Sequence, residues 1–494
     1  MNALTKLMQW IHKMLGTLLS ILFLVWFLSG LVMIYHSFPQ VNPYDRLKKM
    51  DPLSPEGLPS IESVIARLPE GETIRRITLD SYLGVPCFHI QGKQQLYDLP
   101  ADSCLIWPET PDFNRIATHW VPAPIARIDT LYELEQWIPF GRLKQEFPIY
   151  KYYFDDAEQH QLYISSQSGK VLQRTDAKSR FWAWVGAIPH WIYFTSLRQD
   201  AKLWSQVVIW LSGIGCLMCL AGGYMAIRDL RWARRRGKGL TPYKKFWYKW
   251  HHLAGILFGL FVLTFVFSGM MSLANVRDIG ITSQLPFKPM ERMQQMAPPL
   301  AAYQVDYRTV LAAYPGEIRQ LTWEAFGPYP IYALASERMG KGHWVDASAP
   351  EVGPLKLTEE QVRGVIEEIH GREQAIHIEW LDHYDTYYLP KKYRASLPVW
   401  KVTIDDVDGS TYYIHPYRGT SRYMDRAARW QHWAYPALHS LNFRVLTERP
   451  WLWHTVMWIL MLGGSFVSLS GVYLALRCLL RWGKQLGTRL PNRS

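Results

Sequence analysis

The sequence is poor in cysteine and lacks the short motifs by which many enzymes hold nucleotides or metals. Only 5 of its 494 residues are cysteine, and without a Cys-x-x-Cys-His motif covalent c-type haem is excluded. No P-loop, dinucleotide-binding GxGxxG, HExxH motif or nucleophile triad is convincing, so the chain has no nicotinamide or flavin fingerprint. If the protein transfers electrons, the donor must be quinol in the membrane or a cytoplasmic reductase.

The cysteines themselves give little evidence of a redox centre. Cys216 and Cys219 have a Cys-x-x-Cys spacing but lie within an apolar run, where small side chains commonly pack between helices. We interpret them as packing residues. Cys87 and Cys104 lie in a segment predicted to face outwards, where a disulfide can persist, and the sequence leaves their pairing open.

Acidic residues are scarce in the short segments beside the apolar runs. The loop after the second run has nine basic residues and one acid, Asp229, and the C-terminal tail is also basic. Short basic loops remain on the cytoplasmic side of a membrane, so we expect both termini in the cytoplasm and the large polar segments outside. This distribution accounts for the net charge of +12 without a nucleic-acid partner.

Four apolar runs are long enough to cross a bilayer, which takes about 20 residues. The first exceeds the core of about 7–15 residues in a signal peptide, so we expect it to remain as an anchor. We predict a membrane α-helical protein with four transmembrane helices in two repeats and two extracytoplasmic α+β domains. The predicted boundaries are an N-terminus at 1–14, transmembrane helices at 15–35, 203–227, 251–273 and 452–476, outward domains at 36–202 and 274–451, a basic loop at 228–250 and a basic tail at 477–494.

Each outward segment has the signals of an α+β unit. Val399–Ile404 and Thr411–Ile414 are rich in β-branched and aromatic residues, and an Asp-Gly pair between them indicates a hairpin. Helical patterns precede such strands at Ile61–Arg67 and Thr358–His370. Each segment then ends in an aromatic stretch that we expect along the outer leaflet or dipping into it, because Trp and Tyr concentrate at the bilayer interface.

The chain repeats itself, with histidines at matching positions. His12 and His251 each open an apolar run that closes on Ser-Gly, at an offset of 239 residues, and His190 and His439 match within the aromatic stretches at an offset of 249. Histidine is costly inside a bilayer and marks a functional site there by default. Two facing imidazoles are typical axial ligands of haem iron and favour electron transfer over oxygen binding.

Two glycines follow the first histidine pair by four residues, on the same helical face. Gly16 follows His12 and Gly255 follows His251. A missing side chain at these positions provides room for a flat macrocycle, or it allows two helices to pack closely. The sequence leaves both interpretations open.

These motifs together resemble the PepSY-associated transmembrane family. The similarity is carried by the Ser-Gly closings and by Trp10-x-His12-x3-Gly16, Trp250-His251-His252-x2-Gly255, Pro189–Thr195 and Leu438–Leu441. It covers nearly the whole chain, as two units that each contain a PepSY domain and a pair of helices. Members include iron-regulated membrane proteins and inner-membrane ferric-siderophore reductases that carry b-type haem.

The resemblance implies a bacterial inner-membrane oxidoreductase of the ferric-chelate reductase type. It would pass electrons outwards through two b-type haems to a periplasmic acceptor, with a ferric siderophore as the expected one. Together with the repeat, it assigns His12 and His251 to an inner haem and His190 and His439 to an outer haem. Three further histidines compete as ligands, namely His252, His36 and His454.

Other functions remain open. PepSY domains in other contexts are associated with peptidase inhibition, so a haem-free regulator or scaffold for a periplasmic protein, for example a peptidase, is the alternative. A transporter of iron or its chelate is a third hypothesis, although such carriers usually have more than four spans. A polar cluster in the second outward segment is either a contact for the ferric chelate or a solvated loop. Its members are His377, Asp382 and His383, with Glu379 and Asp385.

Overall fold

The computed structural model describes residues 2–102, 112–337, 342–390 and 395–487. Its most prominent elements are four long helices, at Ala3–Met33, Ala201–Arg235, Phe246–Met271 and Pro450–Gly487. Each is long and apolar enough to cross a membrane, which confirms the prediction of four membrane helices. Cys104, with its open pairing to Cys87, lies outside the described residues.

The long helices extend beyond the predicted apolar runs, most strongly at their basic ends. The second continues eight residues past Ile227, to Arg235, and the third begins five residues before His251, at Phe246. Backbone hydrogen bonds within a helix do not depend on side-chain polarity. The helices therefore continue into the basic segments, where long cationic side chains reach water.

The four helices pack into a bundle. The first contacts the second and fourth, and the third also contacts the second and fourth. The centre of the bundle is filled by buried apolar side chains, among them Phe23, Phe27, Val262, Val266, Met457 and Met461. A Cβ atom on Gly464 would lie 2.4 Å from Cε1 of Phe27, so a glycine at this position allows the first and fourth helices to approach closely.

The two large segments outside the helix bundle, at 36–202 and 274–451, are rich in β-structure. We call them the outward part, after the orientation that the sequence predicts. Its described strands are β1 (Arg76–Tyr82), β2 (Val85–Gln91), β3 (Leu96–Pro100), β4 (Ile125–Leu131), β5 (Ile149–Phe154), β6 (Gln161–Ser165), β7 (Val171–Thr175), β8 (Ile318–Phe326), β9 (Tyr329–Ser336), β10 (His343–Asp346), β11 (Gly353–Pro354), β12 (Ile376–Leu381), β13 (Val399–Ile404), β14 (Thr411–Ile414) and β15 (Ser421–Met424). Strands β13 and β14 have the predicted bounds. The predicted helices are also present, at Ile61–Ile65 and at Glu359–His370.

One sheet is built from both outward segments. Its order is β11-β10-β9-β8-β1-β2-β3, and antiparallel pairing of β1 with β8 aligns Ile77 with Trp323 and Leu79 with Leu321. All four side chains belong to one buried core. The sequence suggested a separate unit for each segment, but the shared sheet joins them, because pairing with β8 satisfies the backbone groups that β1 would otherwise expose.

Two further sheets belong to one outward segment each. The first segment forms β4-β5-β6-β7, and the second forms β12-β13-β14-β15. Short helices connect these elements, at Pro43–Leu47, Phe113–Trp120, Thr195–Arg198, Pro289–Gln295, Tyr307–Ala313 and Arg444–Thr447, with 3-10 turns at Gly141–Glu146, Val276–Ile279 and Leu300–Ala302.

After its four-stranded sheet, each outward segment folds back onto the helix bundle. Re-entrant segment 1 consists of the helices Ala177–Val185 and Ala187–Trp191. Re-entrant segment 2 consists of Arg426–His432, a π-helical turn at Trp433–Ala437 and Leu438–Ser440. In segment 1 the helix breaks at Gly186, where a Cβ atom would lie 2.9 Å from Cγ1 of Val32. Glycine thus lets this segment contact the first long helix.

Candidate cofactor site between paired histidines

Two histidines from different helices face each other near the basic ends of the bundle. His12 lies on the first long helix and His251 on the third. Their ring centroids are 6.2 Å apart, and the ring planes are inclined by 39°. We call these residues the inner pair. The structure thus brings together the two histidines that the 239-residue offset matched.

A hydrogen bond at Nδ1 orients each ring of the inner pair. Nδ1 of His12 lies 3.1 Å from the carbonyl oxygen of Met218. Nδ1 of His251 lies 2.9 Å from the hydroxyl oxygen of Ser470, which itself donates to the Val467 carbonyl. Because both partners accept, we assign the ring proton to Nδ1, which presents Nε2 as the metal-binding nitrogen.

A glycine lies beside each ring of the inner pair. A Cβ atom on Gly222 would lie 2.6 Å from Cε1 of His12, and one on Gly471 would lie 3.7 Å from Cε1 of His251. By contrast, a Cβ atom on Gly16 would meet Sδ of Met218 at 3.9 Å, and one on Gly255 would meet nothing within 4 Å. The glycines that border these rings are therefore on the second and fourth helices, and the sequence did not single them out.

A second pair of histidines is formed by the re-entrant segments. His190 of segment 1 and His439 of segment 2 have ring centroids 6.3 Å apart, inclined by 55°. We call them the outer pair. The sequence left open whether the aromatic stretches reach the bundle, and in the structure they do.

The outer pair repeats the hydrogen-bonding pattern of the inner pair. Nδ1 of His190 lies 3.1 Å from the carbonyl oxygen of Trp26 and 3.3 Å from Oγ of Ser29. Nδ1 of His439 lies 3.3 Å from the carbonyl oxygen of Phe265 and 3.2 Å from Oγ of Ser268. Both serine hydroxyls donate to carbonyls of their own helices, so they accept from the imidazoles. The Ser-Gly closings noted in the sequence thus orient the outer histidines.

The spacing within each pair fits one metal ion held by both rings. A metal–nitrogen bond of about 2.0 Å and a ring-centre offset of about 1.1 Å, each taken twice, give about 6.2 Å between centroids. The pairs measure 6.2 and 6.3 Å. Four histidines with Nδ1 bound to acceptors suit axial ligation of haem iron, in which Nε2 is the ligand.

A cavity of about 270 Å³ adjoins the outer pair. Its walls are mostly apolar and aromatic, with a few hydroxyl groups. Besides the two histidines it is bordered by Trp26, Trp204, Ser212, Phe265, Tyr435 and Met461. A largely apolar cavity with few polar groups is typical of a cofactor site.

The three competing histidines have other surroundings. His36 stacks on Trp182, with centroids 4.4 Å apart, and His454 stacks on Tyr35 at 5.8 Å. His252 is buried against Tyr243, at 5.4 Å. Adjacent helical residues point about 100° apart, so His252 is directed away from the partner that His251 faces.

The polar cluster of the second outward segment does not converge on one point. His377 pairs with Asp405, whereas His383 pairs with its neighbour Asp382. Lys401 lies between the remaining two carboxylates, 3.0 Å from Glu379 and 3.4 Å from Asp385. These separate ion pairs are typical of a solvated surface.

Two other polar groups of the outward part were not anticipated. Asp156, Glu158 and His160 have ligand atoms within 4.8 Å of one another and lie on the β5–β6 turn. His89 lies between Asp98, at 2.6 Å, and Asp80, at 3.1 Å. Burial alone would lower the pKa of His89, but its hydrogen bonds to both carboxylates outweigh burial and raise the pKa to about 9.

Comparison with known proteins identifies one family. The model of the PepSY-associated TM region matches residues 9–477 of the chain. No curated protein matches the sequence. The match includes all four paired histidines.

Proposed function

The chain belongs to the family of the PepSY-associated TM region, and we propose that this membrane protein carries electrons through two bound b-type haems. The observation that carries the proposal is the repeated bis-histidine geometry, with centroids 6.2 and 6.3 Å apart. When bound, haem supplies a one-electron couple at each pair. His12 and His251 would hold one haem, and His190 and His439 would hold the other.

The inner and outer pairs lie at two different levels along the bundle. His12 and Trp26, whose carbonyl orients His190, are 14 residues apart on one helix, which is a rise of about 21 Å. Buried Leu19 and Phe23 lie between these levels. Apolar packing at these positions separates the two sites.

We propose further that the chain is built from two repeated units in a bacterial inner membrane, with both termini in the cytoplasm. The matched contacts support the repeat: Gly222 and Gly471 border the inner rings and are 249 residues apart, while Ser29 and Ser268 orient the outer rings and are 239 apart. The basic segments beside the inner pair support the orientation. Electrons would then pass outwards to a ferric siderophore in the periplasm.

The first experiment is an absorption spectrum of the purified protein, oxidised and dithionite-reduced, with haem counted per chain. We expect two low-spin b-type haems, and one haem each in His12→Ala and His190→Ala. His252→Ala is the matched control for the inner pair and should retain both. A wild-type protein that binds no haem in haem-supplied cells would refute the proposal and favour the haem-free regulator. Full haem content in His12→Ala would refute the inner assignment alone.

A further inference from the structure

The positive charge of the protein is concentrated in three short segments. Segments 1–14, 228–250 and 477–494 together contain 16 basic residues and one acid. The rest of the chain has the remaining 38 basic and 41 acidic residues. We call the described parts of these three segments the basic face.

Contacts between the helix ends show that the described parts of these segments lie at the same end of the bundle. Nζ of Lys13 lies 5.5 Å from the ring of Trp482, and the rings of Trp247 and Tyr473 stack at 4.7 Å. The hydroxyl oxygens of Thr5 and Tyr224 are 3.0 Å apart. The inner pair lies at this end, because His251 is five residues from the start of its helix at Phe246, a rise of about 7.5 Å.

The single acid of the basic face is internal. Asp229 is buried, accepts a hydrogen bond of 2.6 Å from the hydroxyl of Tyr243 and one of 2.8 Å from Nε of Arg228. These bonds tie the loop back onto the second helix. The exposed guanidinium groups further along the loop therefore have no carboxylate within it to neutralise them.

The distance of these guanidinium groups from the membrane core determines which molecules they can contact. Arg234, Arg235 and Arg236 are exposed and follow Ile227, the end of the apolar run, by seven to nine residues. That is a rise of about 10–14 Å, whereas the headgroup layer is about 5–8 Å thick on each side. The three arginines therefore extend past the lipid headgroups into water, where they meet soluble molecules.

We propose that the basic face docks an acidic, soluble one-electron carrier protein, which donates its electrons at the inner pair. This rests on the proposed electron-transfer function. The reduced carrier would lose one electron, and the ferric haem that His12 and His251 would hold would gain it and become ferrous; no proton is transferred. A membrane quinol would reach the same site laterally from the bilayer and would need no charged surface in water. Charge complementarity of this kind raises association rates about 10- to 1000-fold at low salt.

The test uses the full chain in nanodiscs of neutral phosphatidylcholine, with flavodoxin, an acidic flavoprotein, as the probe. Binding of flavodoxin is measured with and without bound haem, and haem reduction by photoreduced flavodoxin is followed by stopped flow. We expect both affinity and rate to fall at least 10-fold between 20 and 500 mM salt. At low salt, the triple variant R234E/R235E/R236E should show the same loss, of at least 10-fold, in affinity for flavodoxin and in the rate of haem reduction.

The matched control reverses three exposed lysines of the outward part, as K144E/K178E/K356E. It should bind and react like wild type, and all variants should keep the same haem content and dithionite reduction. Binding or reduction that is insensitive to salt and to R234E/R235E/R236E would overturn the proposal. Reduction of the haem by menadiol but not by flavodoxin would also overturn it. So would an effect of R234E/R235E/R236E that appears only when the nanodiscs contain anionic lipid. The binding measurement without haem decides the docking claim even if the haem proposal fails.

Discussion

Gly222→Ala is expected to disrupt the inner pair with little effect on the fold. The new Cβ atom would lie 2.6 Å from Cε1 of His12, whereas carbon atoms normally approach to about 3.5–4.0 Å. The ring must therefore shift by about 1 Å and loses its hydrogen bond to Met218, worth about 1 kcal/mol. Replacing glycine by alanine within a helix increases the stability of the fold by about 0.5–1 kcal/mol. The two terms nearly cancel in stability, but the ligand is displaced.

The assay is haem content per chain, measured with the reduced spectrum and with thermal unfolding. Disturbing the groups that orient a metal ligand typically lowers metal affinity about 10- to 100-fold, so we expect substoichiometric haem. Gly223→Ala is the matched control, since a Cβ atom there meets nothing within 4 Å. It should keep both haems and gain stability. If Gly222→Ala binds two haems with an unchanged spectrum, the ring of His12 is not the ligand that its position indicates.

Three further predictions concern the outer pair and the outward part. Ser29→Ala and Ser268→Ala each leave the backbone acceptor in place, so haem should be retained with an affinity loss of at most about 10-fold, measured by haem titration. His89, with a pKa raised to about 9, should contribute roughly 3 kcal/mol of stability below pH 6.5 that is lost as pH rises through about 9; denaturant titrations across this range should show no such loss in His89→Gln. Burial and the nearby Arg418 lower the pKa of His415 to about 4, so its contribution is complete above pH 6.5 and lost as pH falls towards 4. His415→Ser, the residue at the matching position of the first segment, should therefore resist acid better than wild type.

The inner pair illustrates what a sequence can predict. His12 and His251 lie at the openings of two apolar runs, and matched positions in two similar helices are natural candidates to face one another. The partners that orient them carry weaker signals. The carbonyl of Met218 belongs to the backbone, and any residue at this position would offer the same acceptor. Gly222 is visible in the sequence, but only the helix packing shows that it borders His12.

The shared sheet shows where prediction from sequence ends. β1 and β8 are recognisable as strands, but their pairing joins residues about 240 positions apart, as Ile77 with Trp323. Period and composition predict that a strand has an apolar face, but they do not predict which other strand pairs with its edge. In the same way, the aromatic composition of the stretch around His190 is typical of the bilayer interface. Its fold-back onto Trp26 depends on tertiary contacts.

The two pairs differ in what holds them, and this difference bears on how each pair responds to movement of the outward sheets. The inner histidines are on the long helices themselves, whereas the outer histidines are on segments continuous with the outward sheets. Tyr163 of β6 shares a buried cluster with Ala187 and Ile188, which lie three and two residues before His190 in the same short helix. We therefore expect a displacement of the outward sheets to shift the outer pair through this cluster, because close-packed interiors transmit strain. The inner pair is anchored to carbonyl and hydroxyl groups of the second and fourth helices, so movement of the sheets should reach the outer pair before the inner pair.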